Sequence, residues 1–174
     1  MSNDLTIQVG HAAPLVIGAG LLLFAAMHDI AARTIPNSTS AAIAVLGLAI
    51  RAFEGQLVSS LLLGAIVFAV CTACWLRGWM GGGDVKLLTA AALFVPPTTV
   101  GVMIVDTTLY GGAVALIYLI ARYFARRHAV RPYPGPRAFL ARVLRAEHWR
   151  LLRGSPLPYG SAIAAGALSA IFAG

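Results

Sequence analysis

Charge is what this sequence lacks most. Only 11% of its 174 residues are Asp, Glu, Lys or Arg, where a soluble domain carries about 25%. Hydrophobic residues make up 59% and the mean hydropathy is +0.83. Long polar stretches are also missing, except Arg122–Gly154, so no separate globular domain fits and residues 1–174 read as one membrane-embedded domain. The first eleven residues contain no Lys or Arg. A secretory signal needs a basic region before its apolar core, so Pro14–Met27 reads as a retained first helix. There are two cysteines, Cys71 and Cys74, in a lone Cys-x-x-Cys within an apolar run. Zinc would need two further ligands, so both read as packing residues and no metal or cofactor is expected.

What is present is a series of apolar runs. About twenty residues cross a bilayer core of ~30 Å, so the chain has room for about six spans. They fall near residues 12–28, 39–53, 57–77, 87–95, 98–124 and 156–172. The fourth is too short to cross at ~1.5 Å per residue, which makes it either shallow and tilted or the centre of a thinned bundle. The expected fold is therefore all-α and polytopic. Pro36 disfavours helix at Ile35, and Asn37 and Ser38 suit the cap of the second helix. Within the basic loop, Leu140, Val143, Leu144, Leu151 and Leu152 recur near helical spacing, interleaved with Arg142, Arg145, Arg150 and Arg153. That pattern predicts a cationic amphipathic helix on an anionic lipid surface. With the membrane accounting for the charge, no nucleic-acid partner is expected.

The basic residues also predict orientation. The turn after the first span holds Arg33, the turn before the fourth holds Arg77 and Lys86, and the long loop holds nine arginines. These connections share one side, and Arg51 alone stands on the other. The first side is cytoplasmic by the positive-inside tendency, which puts both termini outside.

Two carboxylates fall on that cytoplasmic side. Asp29 ends the first span, and Asp84 follows three glycines in Gly81-Gly82-Gly83-Asp84-Val85-Lys86. Charged groups bordering membrane-grade sequence are costly and point to function. The chain has no His-Glu-x-x-His and no Gly-x-Ser-x-Gly. Paired aspartates form a catalytic unit by themselves: two carboxyls a few ångströms apart share one proton, so one acts as base and the other as acid. Glycines beside Asp84 let a substrate backbone approach without a Cβ in the way. The residues alone leave a second reading open, in which Asp29 and Asp84 are interfacial acids paired with Arg33 and Lys86. They also leave three roles for Lys86: favouring the ionised dyad, pairing with an acidic group on a substrate, or anchoring a helix end.

These motifs together carry a resemblance. Gly81–Lys86 resembles the Gly-x-Gly-Asp motif and following lysine of the type IV prepilin peptidases, which are membrane aspartic proteases. Asp29 with Ile35-Pro36-Asn37 is similar to that family's first aspartate and its Ile-Pro-Asn turn. Leu157-Pro158-Tyr159-Gly160 resembles the opening of its last helix. The resemblance spans residues 21–174 and implies an Asp29/Asp84 dyad, supported by Gly81, Gly82, Gly83, Lys86, Pro36 and Asn37. It further implies cleavage of the short basic leader of a prepilin at the cytoplasmic face of the bacterial inner membrane. Longer members also N-methylate the new terminus and carry an N-terminal region with two Cys-x-x-Cys pairs. Without that region, cleavage alone is expected, as in the compact peptidases serving tight-adherence (Flp-type) pili. Two rivals remain: a presenilin-like Gly-x-Gly-Asp protease, although His28 rather than Tyr precedes Asp29, and a small transporter or pilus-assembly scaffold. Asp106, inside the fifth span, favours the second rival unless a hydrogen bond in the bundle explains it.

Overall fold

The computed structural model describes residues 2–127 and 157–172, and the side chains of residues 13–123 and 157–172. The expected cationic helix, residues 137–153, lies outside the described residues. Six α-helices make up almost all of the rest: α1 (Ser2–Ala32), α2 (Asn37–Phe53), α3 (Leu57–Leu76), α4 (Gly82–Phe94), α5 (Val100–Arg127) and α6 (Tyr159–Phe172). A 3₁₀ turn, Pro97–Thr99, leads into α5. No strand occurs among the described residues. Among the described residues, three segments are long and apolar enough to cross a membrane: Ala13–Ala32, Leu57–Leu76 and Pro97–Tyr123. The helices α2 and α6 are shorter apolar segments. The protein is all-helical and polytopic.

The bundle is built around α4. Apolar residues occur all round this helix, the pattern of a helix enclosed by others, and Val85, Leu87, Leu88, Ala90, Ala91, Ala92 and Phe94 are buried. It packs against α2, α3 and α6, while α6 packs against α1 and α5. At thirteen residues α4 is roughly 20 Å long, short of the ~30 Å core. Its C-terminal end is held by close backbone approach. A Cβ on Gly47 of α2 would stand 2.5 Å from the Phe94 Cα, and Cβ atoms on Gly18 of α1 and Gly64 of α3 would meet the Phe94 ring and the Leu93 side chain. Large apolar side chains on the outer faces, such as Leu62, Ile66 and Val70 of α3 and Leu116, Ile117 and Leu119 of α5, are exposed, as a lipid environment requires. Asp106 is explained inside the bundle, where Ser169 of α6 donates to its Oδ2 at 2.5 Å.

Two local expectations are corrected. The first helix does not stop at His28: it runs through Asp29 to Ala32, because Ala31 and Ala32 are good helix formers. It closes only where the Arg33 N–H bonds to the Asp29 carbonyl (2.8 Å), with Arg33 in the left-handed region at φ 56°. Asn37 does not cap α2 either. Pro36 takes the cap position in extended geometry (φ −60°, ψ 134°), and its carbonyl accepts from the N–H groups of Thr39 and Ser40. The Asn37 side chain is used elsewhere.

Candidate active site

The last turn of α1, the link to α2 and the first turn of α4 enclose a cavity of about 500 Å³. Asp29, Asp84, Gly81, Gly82, Gly83, Asn37 and Lys86 line it, together with Arg33, Thr34, Ile35 and Leu157. Of the eight residues that the resemblance implies for the dyad and its support, only Pro36 is not brought to the cavity wall. Its role is to start α2.

Asp84 is placed by its own helix start. Gly81 caps α4 in extended geometry (φ −73°, ψ 143°), and its carbonyl accepts from the N–H groups of Asp84 (3.1 Å) and Val85 (3.2 Å). The carboxylate folds back over this turn: a Cβ on Gly81 would lie 2.9 Å from Asp84 Oδ2. The glycine thus makes room for the aspartate itself. A Cβ on Gly83 would stand 3.6 Å from the Ile35 side chain, an ordinary van der Waals distance, so the glycine turn faces the α1–α2 link.

Asp29 is buried, 6% exposed, and its placement depends on the far end of the chain. The Gly160 N–H donates to Asp29 Oδ2 at 2.9 Å, across 131 residues. A Cβ on Gly160 would come within 2.9–3.1 Å of the Asp29 Oδ2, Cβ and Cγ atoms. The first turn of α6 is therefore a mould for this carboxyl. The turn is held by Tyr159 N–H bonding to the Leu157 carbonyl (2.9 Å) and by the Ser161 hydroxyl donating to the Pro158 carbonyl (2.6 Å).

The two acids influence each other. Asp84 sits at the rim, in the first turn of a helix too short to span, and its carboxyl is pushed up to about 6. Burial is the main cause, the charge of Asp29 adds to it, and a backbone hydrogen bond from Gly81 opposes it.

Cations border the same space. Exposed Lys86 donates from Nζ to Asn37 Oδ1 (3.0 Å), joining α4 to the start of α2. The Arg33 guanidinium donates to the Tyr118 hydroxyl on α5 (2.8 Å) and lies 5.4 Å from the centre of its ring. His28 donates from Nδ1 to the Thr34 carbonyl (2.7 Å), bracing the link from outside the cavity. Among the described residues, no three His, Cys, Asp or Glu side chains cluster in a way that could hold a metal ion. In the sequence Arg33 reads as a topology marker and a possible partner of Asp29, and Gly160 only as part of a motif. The left-handed backbone of the first and the steric role of the second become visible only in three dimensions.

An all-helical membrane protein with two carboxylates converging on one rim cavity is thus what fold and site define. The sequence matches the family model for the type IV leader peptidase family over residues 16–120, a stretch that contains both Asp29 and Asp84. The chain belongs to that family, whose members are proteases in general terms acting on protein substrates. No curated protein and no solved structure matches it.

Proposed function

We propose that the chain is a prepilin leader peptidase, an aspartic endopeptidase whose catalytic pair is Asp29 and Asp84. The observation that carries this reading is the shared cavity: residues 55 positions apart, on α1 and α4, present their carboxyls to one space open at the rim. One proton is shared between the two. The ionised carboxyl removes a proton from water as the water oxygen attacks the scissile carbonyl carbon. The protonated carboxyl donates to the carbonyl oxygen, giving a tetrahedral intermediate. As that intermediate collapses, the C–N bond breaks and the leaving nitrogen takes up a proton. The hydrogen bond from Gly160 and the cradle of Gly81 fix both carboxyls before substrate arrives, which is the preorganisation such chemistry requires.

The substrate in this reading is a prepilin or pilin-like protein, cut behind its short basic leader at the cytoplasmic face of the bacterial inner membrane. The orientation rests on the distribution of basic residues, with both termini outside. Residues 1–174 act as one peptidase domain in this reading. Co-expression with a pilin-like protein tests this: leader loss seen as a gel shift, and mapped by mass spectrometry of the product, is the expected result. An unprocessed substrate at normal expression of both partners contradicts it.

Two further outcomes follow from the site. Because the Asp84 carboxyl is raised to about 6, it keeps its proton below that pH and loses it above. The singly protonated pair is then depleted, so kcat/KM of the purified enzyme falls as pH rises through about 6. The measured value belongs to the coupled pair rather than to Asp84 alone. A rate that stays flat into the alkaline range would contradict the assignment. The second outcome concerns reagents. Water activated by carboxylates needs neither thiol nor metal, so EDTA leaves the rate unchanged, and the Cys71→Ser/Cys74→Ser double variant stays active. Loss of activity on chelation, restored by a divalent ion, would require a different chemistry.

A further inference from the structure

Immediately before the glycines stand Trp79 and Met80, two large apolar side chains in a turn otherwise made of Arg77, Gly78 and the glycines. Trp79 is 72% exposed. Both residues belong to the wall of a second cavity, about 300 Å³, lined by Trp79, Met80, Gly81, Asp84, Leu157 and Tyr159. Among the described residues, Asp84 is the only carboxylate or cation on that wall. The lining is held in place. The Arg77 guanidinium lies 5.3 Å from the centre of the Trp79 ring, and the Trp79 backbone N–H bonds to the Cys74 carbonyl (3.0 Å). The Tyr159 ring fits against bare backbone at Gly111, where a Cβ would stand 2.8 Å from the ring carbon bearing the hydroxyl.

The two cavities share Gly81, Asp84 and Leu157. Asp84 therefore stands on the boundary between a space bordered by Arg33, Asn37 and Lys86 and an apolar, aromatic one. Resting on the protease reading above, we propose that the Trp79–Met80–Tyr159 chamber is a specificity subsite. It receives a bulky apolar side chain from a residue adjoining the scissile bond of the protein substrate. Its volume is at the lower end of the roughly 300–1,000 Å³ of small-ligand pockets, enough for one large side chain. Its continuity with the cavity of the two aspartates places that side chain one residue from the chemistry.

The test uses purified full-length protein and a prepilin-like substrate in which each residue flanking the cut is changed in turn to Ala, Leu or Phe. At one of the two positions, kcat/KM for Phe or Leu over Ala is on the order of tenfold in the wild type. Trp79→Ala and Met80→Ala each bring that ratio close to one. As a readout independent of turnover, a photo-reactive benzoylphenylalanine in place of Trp79, in the Asp84→Asn background, forms its adduct with a residue adjoining the uncut bond. Ratios unchanged in both variants while the wild type cleaves, or adducts only at distant substrate positions, overturn the subsite and leave the protease standing. A wild type that cleaves no prepilin-like protein overturns both.

Discussion

Asp29→Asn and Asp84→Asn each abolish leader cleavage while the protein still inserts and accumulates. Amide side chains have nearly the shape of the carboxyls, so the cavity survives while the proton inventory does not. In the Asp29→Asn variant the amide oxygen would still accept the Gly160 hydrogen bond, which separates loss of chemistry from loss of structure. General acid–base groups contribute roughly 10²–10⁴-fold each, and here the same two groups also activate the nucleophile, so the loss lies at or beyond the upper figure. Glutamate is no substitute. One added methylene moves the carboxyl by more than about 1 Å, enough to cost on the order of 100-fold. A gel-shift assay in cells, with immunoblotting for both partners, reads all four variants. Substantial cleavage by either asparagine variant removes that residue from the catalytic pair.

The second large effect is expected far from either motif. Gly160→Ala puts a methyl group 2.9 Å from Asp29 Oδ2 and 3.1 Å from its Cβ and Cγ. The α6 backbone is locked by buried neighbours such as Ala162, Ile163 and Ala164, so the Asp29 side chain is what moves. The carboxyl leaves both its hydrogen bond and its register with Asp84. A misplacement of about 1 Å costs on the order of 10²-fold in rate, and thermal unfolding of the variant in detergent should remain close to that of wild type. Gly112→Ala is the control: beyond the adjacent backbone of its own helix, no described atom lies within 4 Å of the added methyl, and cleavage stays at the wild-type level. Equal rates for Gly160→Ala and Gly112→Ala would show that α6 does not position the acid.

The comparison of sequence with structure turns on distance along the chain. The six apolar helices among the described residues and the shortness of α4 were legible because apolar patterning is local, whereas the central place of α4 was one of two alternatives. That both aspartates lie at one end of the bundle was legible because each borders an apolar run of known length. What patterning could not show is contact across the fold. Asn37 has the composition of a cap, yet its side chain serves Lys86, 49 residues on, and a proline carbonyl does the capping. The glycines before Asp84 read as an open approach for substrate; the first of them also accommodates the aspartate's own carboxylate. Gly160 and Gly111 look like ordinary small residues of helix interfaces, and their partners, Asp29 and Tyr159, are set only by how α6 docks between α1 and α5. Arg33 read as a topology marker and a possible partner of Asp29, while its left-handed backbone and its seat on Tyr118 make it a fixed cation beside the cavity.

The central claim is that Asp29 and Asp84 form one proteolytic centre rather than two independent acids. Single-turnover cleavage of a pilin-like substrate by purified wild type, Asp29→Asn, Asp84→Asn and the double variant, reconstituted in one lipid mixture, tests it most directly. Groups acting as a unit are grossly non-additive. The account predicts that the double variant is no slower than either single one, with all three reduced to the same residual rate. Losses that multiply in the double variant, or a single variant cleaving near the wild-type rate, would contradict it.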